Sequence, residues 1–456
     1  METGLKAFVQ SKKQFCCTKF LLCLPTLSLL LLFYIQASPF AFASFSSPKS
    51  VEDLIAKLRD SVTFLPLKDT RLAETAMTGS NWFMSSLNDT YQEDEPQYLY
   101  FPSQASKGRI LCIRGRSTSD GTKNSYALAW PESLPDHSTL LKGVTYVSET
   151  YYNHDNLWHG ISAMAPLVRW SMRHGCEKPA RWVLFHWGEL RTRMGSWLQK
   201  LMEANFGKIE VEKFVGGDGP YCFEKALVMR HDMGRMGREN KRVVFDLLRC
   251  RAREACGFNP SGKGREVNER GVPIIRLTLL MRRGSRSFKN ATAVRDIFAK
   301  ECERVDGCVL NVAQSEDLSF CDQVRVMTNT DIVASPHGAQ LTNMIFMDRG
   351  SSVMEFFPKG WLEHAGTGQY AHHWMADQSG MQHRGAWWEP KDEDCPYPTE
   401  DKCFYFYKNG QVGHDETYFT KWARKVLEQV RTSKLEQASM NNTVSKPQPG
   451  SRACVG

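Results

Sequence analysis

Strand-like and helix-like segments alternate between residues 274 and 357, and this pattern constrains the fold more than any other feature of the sequence. Four short apolar runs are separated by three longer segments with helical periodicity. The predicted strands cover 274–281, 307–312, 331–334 and 352–357, and the predicted helices cover 291–303, 318–328 and 338–347. Strands and helices that alternate in this way form right-handed βαβ units, so we expect a parallel sheet with helices on both faces.

A less regular pattern of the same kind precedes this segment. It predicts strands at 109–113, 145–152, 180–186, 208–214 and 226–229, and helices at 157–173, 194–206 and 239–256. The stretch 257–270 has no apolar period and is typical of a linker. We therefore expect an α/β protein with two Rossmann-like lobes that face a cleft. The expected boundaries are an N-terminal lobe at 108–260, a C-terminal lobe at 261–385, a Trp- and Cys-rich tail with a closing helix at 386–432, and a disordered tail at 433–456.

The N-terminus combines a basic segment with a long uncharged one. Four lysines and a single glutamate lie in residues 1–19, and residues 20–43 carry no charge, which is enough length to cross a bilayer as a helix. The positive-inside rule then predicts a cytoplasmic tail at 1–19, a transmembrane signal anchor at 20–43 and a lumenal stem at 44–107. A cleaved signal peptide is the alternative, because Ala41-Phe42-Ala43 provides an A-x-A cleavage site.

Cysteines and sequons agree with a lumenal location. Of the 14 cysteines, the pairs Cys302 with Cys308 and Cys395 with Cys403 are the closest candidates for disulfides. Three N-x-[ST] sequons, at Asn88, Asn290 and Asn441, lie beyond the anchor and allow glycosylation. The net charge of +8 is small for 456 residues and is interspersed, which argues against a dedicated nucleic-acid binder. The sequence leaves the oligomeric state open.

Two polar segments follow predicted strands of the second half, where open α/β sheets bind their ligands. The first, 281–286, contains Arg282, Arg283 and Arg286, three guanidinium groups within five residues that suit a diphosphate; a solvated basic turn is the alternative. The second, 335–339, contains His337 and Gly338 at the start of a predicted helix, where free N–H groups face an anion. A structural histidine is the alternative. Together the two segments predict a nucleotide-phosphate site.

Three further groups carry possible chemistry. Glu355 lies in an apolar predicted strand and needs a partner, either a ribose hydroxyl, an arginine or a structural salt bridge. In the first half, His159 or Asp155 is a candidate general base, although Asp155 or Asn156 as a helix N-cap is an equally plain explanation. The D-x-D pattern of Asp392 and Asp394 lies in a loop rich in Pro, Trp and Cys, so we treat it as a chance match and expect no metal.

These residues resemble a known family. The segment SPHGAQLTNMIFMDRGSSVMEFFP, at 335–358, is similar to the signature of glycosyltransferase family 61, and RRGSRSFKN, at 282–290, is similar to its arginine-rich element. The C-terminal tail looks like that of plant members. The resemblance runs over roughly 145–430 and is strongest at 274–361. It implies an inverting, single-pass type II transferase of GT-B fold in the Golgi or endoplasmic reticulum, which uses a UDP-sugar without a bound metal.

The resemblance also assigns residues by position. It places five residues in the donor half, namely Arg283, Arg286, His337, Gly338 and Glu355. It places Asn156 and His159 in the first half, and we assign Trp361 to the acceptor side with Asn156. Family members often carry an acidic residue shortly after the histidine that matches His159, whereas residues 160–164 contain none. The identity of the base therefore stays open between His159 and Asp155.

The expected reaction follows from the same resemblance. A sugar, xylose as the first expectation and GlcNAc or arabinose as alternatives, moves from a UDP-sugar to a glycan or glycoprotein acceptor in the Golgi lumen. Two other interpretations remain beside it. One is a lumenal glycan-binding protein without catalysis, and the other is a metal-dependent transferase that uses Asp392 and Asp394.

Overall fold

The computed structural model describes residues 51–67, 93–96, 98–149, 156–229, 236–260 and 266–440. The chain divides into two compact units, Met1–Leu58 and Arg59–Gly456, and both sheets belong to the second. The described residues of the first unit, 51–58, belong to helix α1 (Val51–Asp60). The predicted tail at 1–19 and anchor at 20–43 lie outside the described residues. Within the described ranges, no helix has the length and apolar character needed to cross a membrane.

A mixed sheet of eight strands forms the first half. The strands are β1 (Leu65–Pro66), β2 (Tyr98–Phe101), β3 (Ile110–Arg114), β4 (Ser125–Ala129), β5 (Thr139–Glu149), β6 (Arg181–His186), β7 (Glu189–Arg191) and β8 (Tyr221–Met229). Their order is β1-β4-β3-β8-β5-β6-β7, and β2 pairs with β8. Strand β5 runs parallel to β6 and β8, whereas the other pairs are antiparallel. Four consecutive apolar residues of β6, 182–185, are buried, as expected for a strand covered on both faces.

Three helices accompany this sheet: α2 (Leu157–Arg173), α3 (Ser196–Phe206) and α4 (Arg238–Ala255). Each matches a predicted helix within two residues. Two sequence predictions for the first half are wrong. Residues 208–214 form no named strand, and only a single bridge joins Val211 to Trp182. The predicted stem at 44–107 contains β1 and β2, which pair with β4 and β8, so the folded part begins before residue 108.

A five-stranded parallel sheet forms the second half. Its strands are β9 (Ile275–Met281), β10 (Cys308–Gln314), β11 (Ile332–Pro336), β12 (Ser352–Phe357) and β13 (Gln382–Trp388), in the order β10-β9-β11-β12-β13. The connection from β9 places β10 on one side of β9, and the connection from β10 crosses to the other side of β9, where β11 lies. This is a doubly wound order whose switch point lies between β9 and β11, at the carboxyl ends of the strands. Strand β13 extends past the predicted lobe boundary at 385.

Helices connect these strands and complete the chain. They are α5 (Ala291–Glu303), α6 (Phe320–Thr328), a 3₁₀ helix (Ala339–Phe346), α7 (Trp361–His364), α8 (Ala371–Gln378), α9 (Glu400–Asn409) and α10 (Glu416–Met440). The alternation predicted for 274–357 is confirmed with small shifts of the ends, and the segment at 338–347 is 3₁₀ rather than α.

The closing helix α10 is longer than the sequence predicts. Beyond Thr432 it continues to Met440, so the first eight residues of the predicted disordered tail at 433–456 are helical. Lys434 explains part of the extension, since its Nζ lies 2.9 Å from Asp331 Oδ2 and donates to the carbonyl of Ile274. Residues 441–456 lie outside the described ones.

The two halves share one hydrophobic core. Buried residues of α2, α3 and α4 pack with the 3₁₀ helix, α6 and α8 in a continuous cluster. Two buried arginines of α4 complete this contact: Arg249 donates to the carbonyl of Ile345 at 2.8 Å and Arg253 to that of Phe346 at 2.6 Å. These bonds satisfy carbonyl groups at the end of the 3₁₀ helix and fix it against the first half.

Disulfides reinforce both halves. The predicted pairs Cys302–Cys308 and Cys395–Cys403 are confirmed. Bonds between described residues also join distant parts of the sequence: Cys112 to Cys222 between β3 and β8, and Cys256 to Cys321 between the end of α4 and α6.

Candidate active site

The candidate site lies where β9 and β11 end. Arg282 follows β9, and His337 and Gly338 follow β11, so the switch point of the doubly wound sheet brings these residues together. His337 is held by its backbone N–H, which donates to the carbonyl of Phe356 on β12 at 2.7 Å. Carboxyl ends of parallel strands at a switch point form the crevice in which such sheets bind ligands.

Glu355 on β12 lies among three histidines. Its Oε1 atom is 2.6 Å from Nδ1 of His337 and 2.8 Å from Nδ1 of His372, and its Oε2 atom is 3.0 Å from Nε2 of His383. Glu355 is fully buried, and only 6% of His337 is exposed. Both carboxylate oxygens are therefore engaged by imidazoles, which corresponds to the salt-bridge alternative of the sequence analysis. A direct contact of Glu355 with the donor stays a prediction.

The protonation of this cluster follows from burial and charge. Burial alone would raise the pKa of Glu355, but the attraction of His372 and the hydrogen bonds from His337, His372 and His383 together hold it well below its usual range. Burial lowers the pKa of His337 to about 4, against the opposing effect of Glu355. Near neutral pH the carboxylate is thus charged and the His337 imidazole is neutral.

Two arginines lie close to His337, and a lysine lies close to one of them. Arg282 Nη1 donates to the backbone carbonyl of His337 at 3.0 Å, and the Arg286 guanidinium lies 5.2 Å from the ring centroid of Trp361. Burial and the nearby charge of Arg282 lower the pKa of Arg286 to about 10, and burial and Arg286 lower the pKa of Lys408 on α9. Within the described part of the chain, none of Arg282, Arg286 and Lys408 forms an ion pair. The site therefore holds positive charge without a matching carboxylate contact.

Gly338 leaves room for Arg282. A Cβ atom at this position would lie 2.1 Å from Arg282 Nη1 and 2.3 Å from Gln340 Oε1. Its backbone is extended, so the requirement for glycine is one of space. The 3₁₀ helix begins directly afterwards, and the first N–H groups of a helix lack partners within it. Glycine thus lets a guanidinium approach the start of this helix.

Arg283 points away from this cluster. Its guanidinium makes two hydrogen bonds to Asp317, at 2.7 and 2.6 Å, and 65% of its side chain is exposed. The structure therefore brings together Arg286, His337 and Gly338 of the predicted donor residues, with Glu355 behind His337, and places Arg283 outside. A donor-binding role of Arg283 stays a prediction, but its neighbour Arg282 occupies the position expected of it.

The first half contributes the N-terminus of α2. Asn156 is its N-cap, and its Oδ1 atom accepts hydrogen bonds from the N–H groups of Trp158 and His159. Burial, and secondly the charge of Lys408, lowers the pKa of His159 to about 4. The indole ring of Trp158 lies 6.3 Å from the His372 ring, which brings α2 close to the histidine cluster. Asp155, the other candidate base, lies outside the described residues.

Trp361, predicted on the acceptor side, lies against the same cluster. Its ring centroid is 4.6 Å from that of His337, and it is 5% exposed. Several polar atoms here are buried without a hydrogen-bond partner among the described residues: Arg282 Nε, Arg286 Nε, Trp361 Nε1 and His372 Nε2. Buried polar groups are usually satisfied, so a concentration of such atoms beside a cationic crevice indicates the position of a polar ligand.

Sequence reasoning missed three residues of this site: His372, His383 and Lys408. It included Arg282 in the arginine-rich segment but assigned the donor contacts to Arg283 and Arg286. His372 and His383 lie in a His-containing stretch after the recognised motif, and Lys408 lies in the C-terminal tail. Their role depends on contacts between distant segments, which no local pattern reveals.

Two groups of acidic or histidine side chains contain the residue types that could bind a metal ion. Asp394 pairs with Lys359 Nζ at 2.7 Å and Asp392 pairs with Lys289 Nζ at 3.0 Å, so lysines occupy the D-x-D carboxylates. Ligand atoms of His337, Glu355 and His372 lie within 4.8 Å of one another, as a metal site would require. In this arrangement, however, hydrogen bonds between the imidazoles and the carboxylate already satisfy those atoms.

The model of the family Glycosyltransferase 61 matches residues 79–354. The chain belongs to this family. The match begins after β1 and ends within β12, just before Glu355, so it includes most strands of both sheets and the crevice residues Arg282, Arg286, His337 and Gly338. It confirms the resemblance drawn from the segments at 282–290 and 335–358.

Curated relatives share a short segment with this chain. Protein O-linked-mannose beta-1,4-N-acetylglucosaminyltransferase 2 of Homo sapiens and of Canis lupus familiaris is 46% identical over 43 residues, which is 9% of this chain and 7% of the relative. The protein of the same name from Xenopus laevis is 47% identical over 45 residues, 10% of this chain and 8% of the relative. The matched segments thus span less than a tenth of the length of these relatives.

Proposed function

We propose that this chain is an inverting glycosyltransferase that transfers a sugar from a UDP-sugar to a glycan or glycoprotein acceptor. The main support for this proposal is the cationic crevice that Arg282, Arg286 and Lys408 form near His337, in a member of a glycosyltransferase family. Guanidinium groups pair bidentately with phosphate oxygens, and a crevice at a switch point is the usual place for a nucleotide. The UDP diphosphate is the anion that we place there.

The acceptor lies on the side of α2 in this proposal. Inversion requires a base that deprotonates the acceptor hydroxyl while the diphosphate leaves in line. His159 is neutral at physiological pH and lies in the first turn of α2, which makes it a candidate, and Asp155 is the other. We retain a GT-B arrangement with a Golgi-lumenal catalytic part and an N-terminal anchor. The family membership and the disulfides among the described residues support this view.

The choice of sugar is open to direct assay. Xylose remains the first expectation, and the name of the curated relatives adds weight to GlcNAc. Purified protein lacking residues 1–43 would be incubated with UDP-xylose, UDP-GlcNAc and UDP-arabinose, together with a mixture of N-glycan and xylan acceptors, and released UDP would be measured with and without EDTA. Acceptor-dependent release in EDTA supports the proposal. Release that EDTA abolishes supports a metal-dependent enzyme, and glycan binding without UDP affinity supports a non-catalytic lectin.

Two adjacent arginines provide the sharpest test of the donor site. Arg282→Ala removes a cation from the crevice, so UDP affinity should fall by the value of a charge-assisted hydrogen bond, about 1.5–3 kcal/mol or about 10- to 150-fold. Arg283→Ala removes a guanidinium that is paired with Asp317 and exposed, so its affinity should stay within about threefold. Calorimetric titration with UDP measures both, and thermal melts verify folding. Equal losses, or a larger loss in Arg283→Ala, would place the diphosphate elsewhere.

A further inference from the structure

The imidazole of His337 has one nitrogen available to a ligand. Nδ1 lies 2.6 Å from Glu355 Oε1 and is engaged there. Because a carboxylate accepts hydrogen bonds, this contact places the Nδ1 proton on the histidine and leaves Nε2 as an unprotonated acceptor in the neutral ring. Nε2 makes no hydrogen bond to any described residue. The ring packs between Phe357 and Trp361, which fix its plane.

Charged and titratable groups approach His337 from each neighbouring element. Glu355 comes from β12, Arg282 and Arg286 from the segment after β9, and His372 from α8, with its ring centroid 4.9 Å away. Behind these lie His383 of β13, on Glu355, and Lys408 of α9, close to Arg286. His372 and Arg286 oppose a positive charge on the ring, and Glu355 favours it.

We propose that binding of the UDP diphosphate is coupled to the uptake of one proton by Nε2 of His337, with Glu355 as the countercharge on the other side of the ring. This inference rests on the proposed function, since it takes the diphosphate to occupy the same crevice. The proton comes from solvent and adds to the Nε2 lone pair; no covalent bond of the donor changes in this step.

The chemistry of the empty and occupied crevice explains the coupling. A neutral ring presents a lone pair to the phosphate oxygens, and two acceptors repel each other. A protonated ring presents an N–H that donates to the diphosphate, as charge-assisted bonds require. In the free protein, burial keeps the pKa of His337 at about 4, so the proton is absent near neutral pH and has to be acquired. The diphosphate also offsets the charge of Arg286, which opposes a charged ring, and its own negative charge compensates for the burial that is the largest cause of the low pKa.

His372 and His383 act as positioning residues in this scheme. His372 contacts the Oε1 atom of Glu355 and His383 contacts its Oε2 atom, so the carboxylate cannot rotate away from His337. A carboxylate held in this way orients the imidazole and stabilises its charged form, as an acidic partner does for a catalytic histidine.

Proton uptake is measured by titrating UDP into the parent protein at pH 7.5 in buffers of different ionisation enthalpy, with EDTA present. The observed enthalpy should vary with the buffer, with a slope approaching one proton taken up. At this pH the terminal phosphate of UDP is mostly deprotonated and contributes little. Affinity should also fall as pH rises, by at most tenfold per pH unit.

Two variants assign the proton. His337→Gln carries an amide N–H that can donate without titrating, so we expect UDP to bind within about tenfold of the parent and the buffer dependence to disappear. Lys408→Arg puts a permanent charge in place of another group that could take up a proton, so the buffer dependence should remain. Glu355→Gln should reduce the uptake, and thermal melts show whether this buried variant folds; if it does not, His337→Gln alone decides.

The outcomes separate the two proposals. If the parent does not bind UDP, the proposed function fails and the coupling with it. If the parent binds UDP and the enthalpy is independent of the buffer, or if the uptake persists in His337→Gln, the donor site stands and the proton coupling is overturned. Uptake that vanishes in Lys408→Arg assigns the proton to Lys408 and likewise overturns the inference.

Discussion

At the scale of single residues, Arg282 and Arg283 show what a sequence pattern can and cannot decide. The pattern located the arginine-rich segment at the end of β9 correctly. Consecutive residues leaving a strand point in opposite directions, however, so one guanidinium enters the crevice and the other meets Asp317. Which of the two turns inward depends on the register of β9 in its sheet, and that register is set by contacts far along the chain.

The buried histidines predict how stability depends on pH. The pKa of His337 is about 4 in the folded protein, against about 6.5 for an exposed histidine, so the unfolded chain binds a proton more readily. This group's contribution is fully present above pH 6.5 and is lost as pH falls toward 4, by roughly 3 kcal/mol. His159, with a similar pKa, acts in the same direction, and Glu355 extends the loss below pH 4.5. Urea unfolding of the ligand-free protein between pH 7.5 and 4.5 measures the fall.

Substitution isolates the histidine's share of this fall. His337→Gln has no group to titrate, so its free energy of unfolding should decline less over the same range. His414→Gln, at an exposed position, is the matched control and should follow the parent curve. A decline that is as steep in His337→Gln as in the parent would show that other groups determine the acid sensitivity.

At the scale of elements, α9 shows how a segment outside the recognised pattern reaches the site. The sequence predicts only a Trp- and Cys-rich tail there, whereas residues 400–409 form a helix that places Lys408 near Arg286 and His159. The Cys395–Cys403 bond closes the loop before it. Its contact with α7 joins segments about 40 residues apart, and local propensity carries no information on such a pairing.

Gly360 determines how closely α7 and α9 approach. Its φ is +73°, and a Cβ atom would lie 2.4 Å from the Tyr407 ring of α9. Gly360→Ala should therefore introduce backbone strain that costs roughly 1–2 kcal/mol of stability. The added Cβ should also disturb the packing against Tyr407, displace Lys408 and weaken UDP binding. Gly366→Ala has a similar φ of +53° with nothing within 4 Å, so it should show the strain alone and leave UDP affinity unchanged. Thermal melts and UDP titrations compare the two, and equal behaviour would contradict a close contact of α7 with α9.

At the scale of the whole molecule, a sheet can be predicted from the sequence where its paired strands lie close together along the chain. The first four strands of the second sheet were predictable because one main helix joins each of them to the next, which leaves a regular trace in the sequence. Strand β13 follows two helices, α7 and α8, and was not predicted. The first sheet mixes parallel and antiparallel pairs, and β2 reaches β8 across more than 120 residues of sequence. Its extra strands were therefore missed. The shared core between the halves depends on α4 and the 3₁₀ helix and has no local signature either.

The disulfide between Cys256 and Cys321 cross-links the end of α4 in the first half to α6 in the second, at the joint between the halves. The bond closes a loop of 65 residues, whereas Cys395–Cys403 closes one of 8. If a cross-link acts by restricting the unfolded chain, these loops correspond to roughly 4 and roughly 2–3 kcal/mol. The double variant Cys256→Ser/Cys321→Ser should thus lose more stability in urea than Cys395→Ser/Cys403→Ser. UDP affinity should show the reverse order, because only the shorter loop precedes the helix that bears Lys408. The same order in both measurements would mean that the joint between the halves, and not α9, determines the geometry of the crevice.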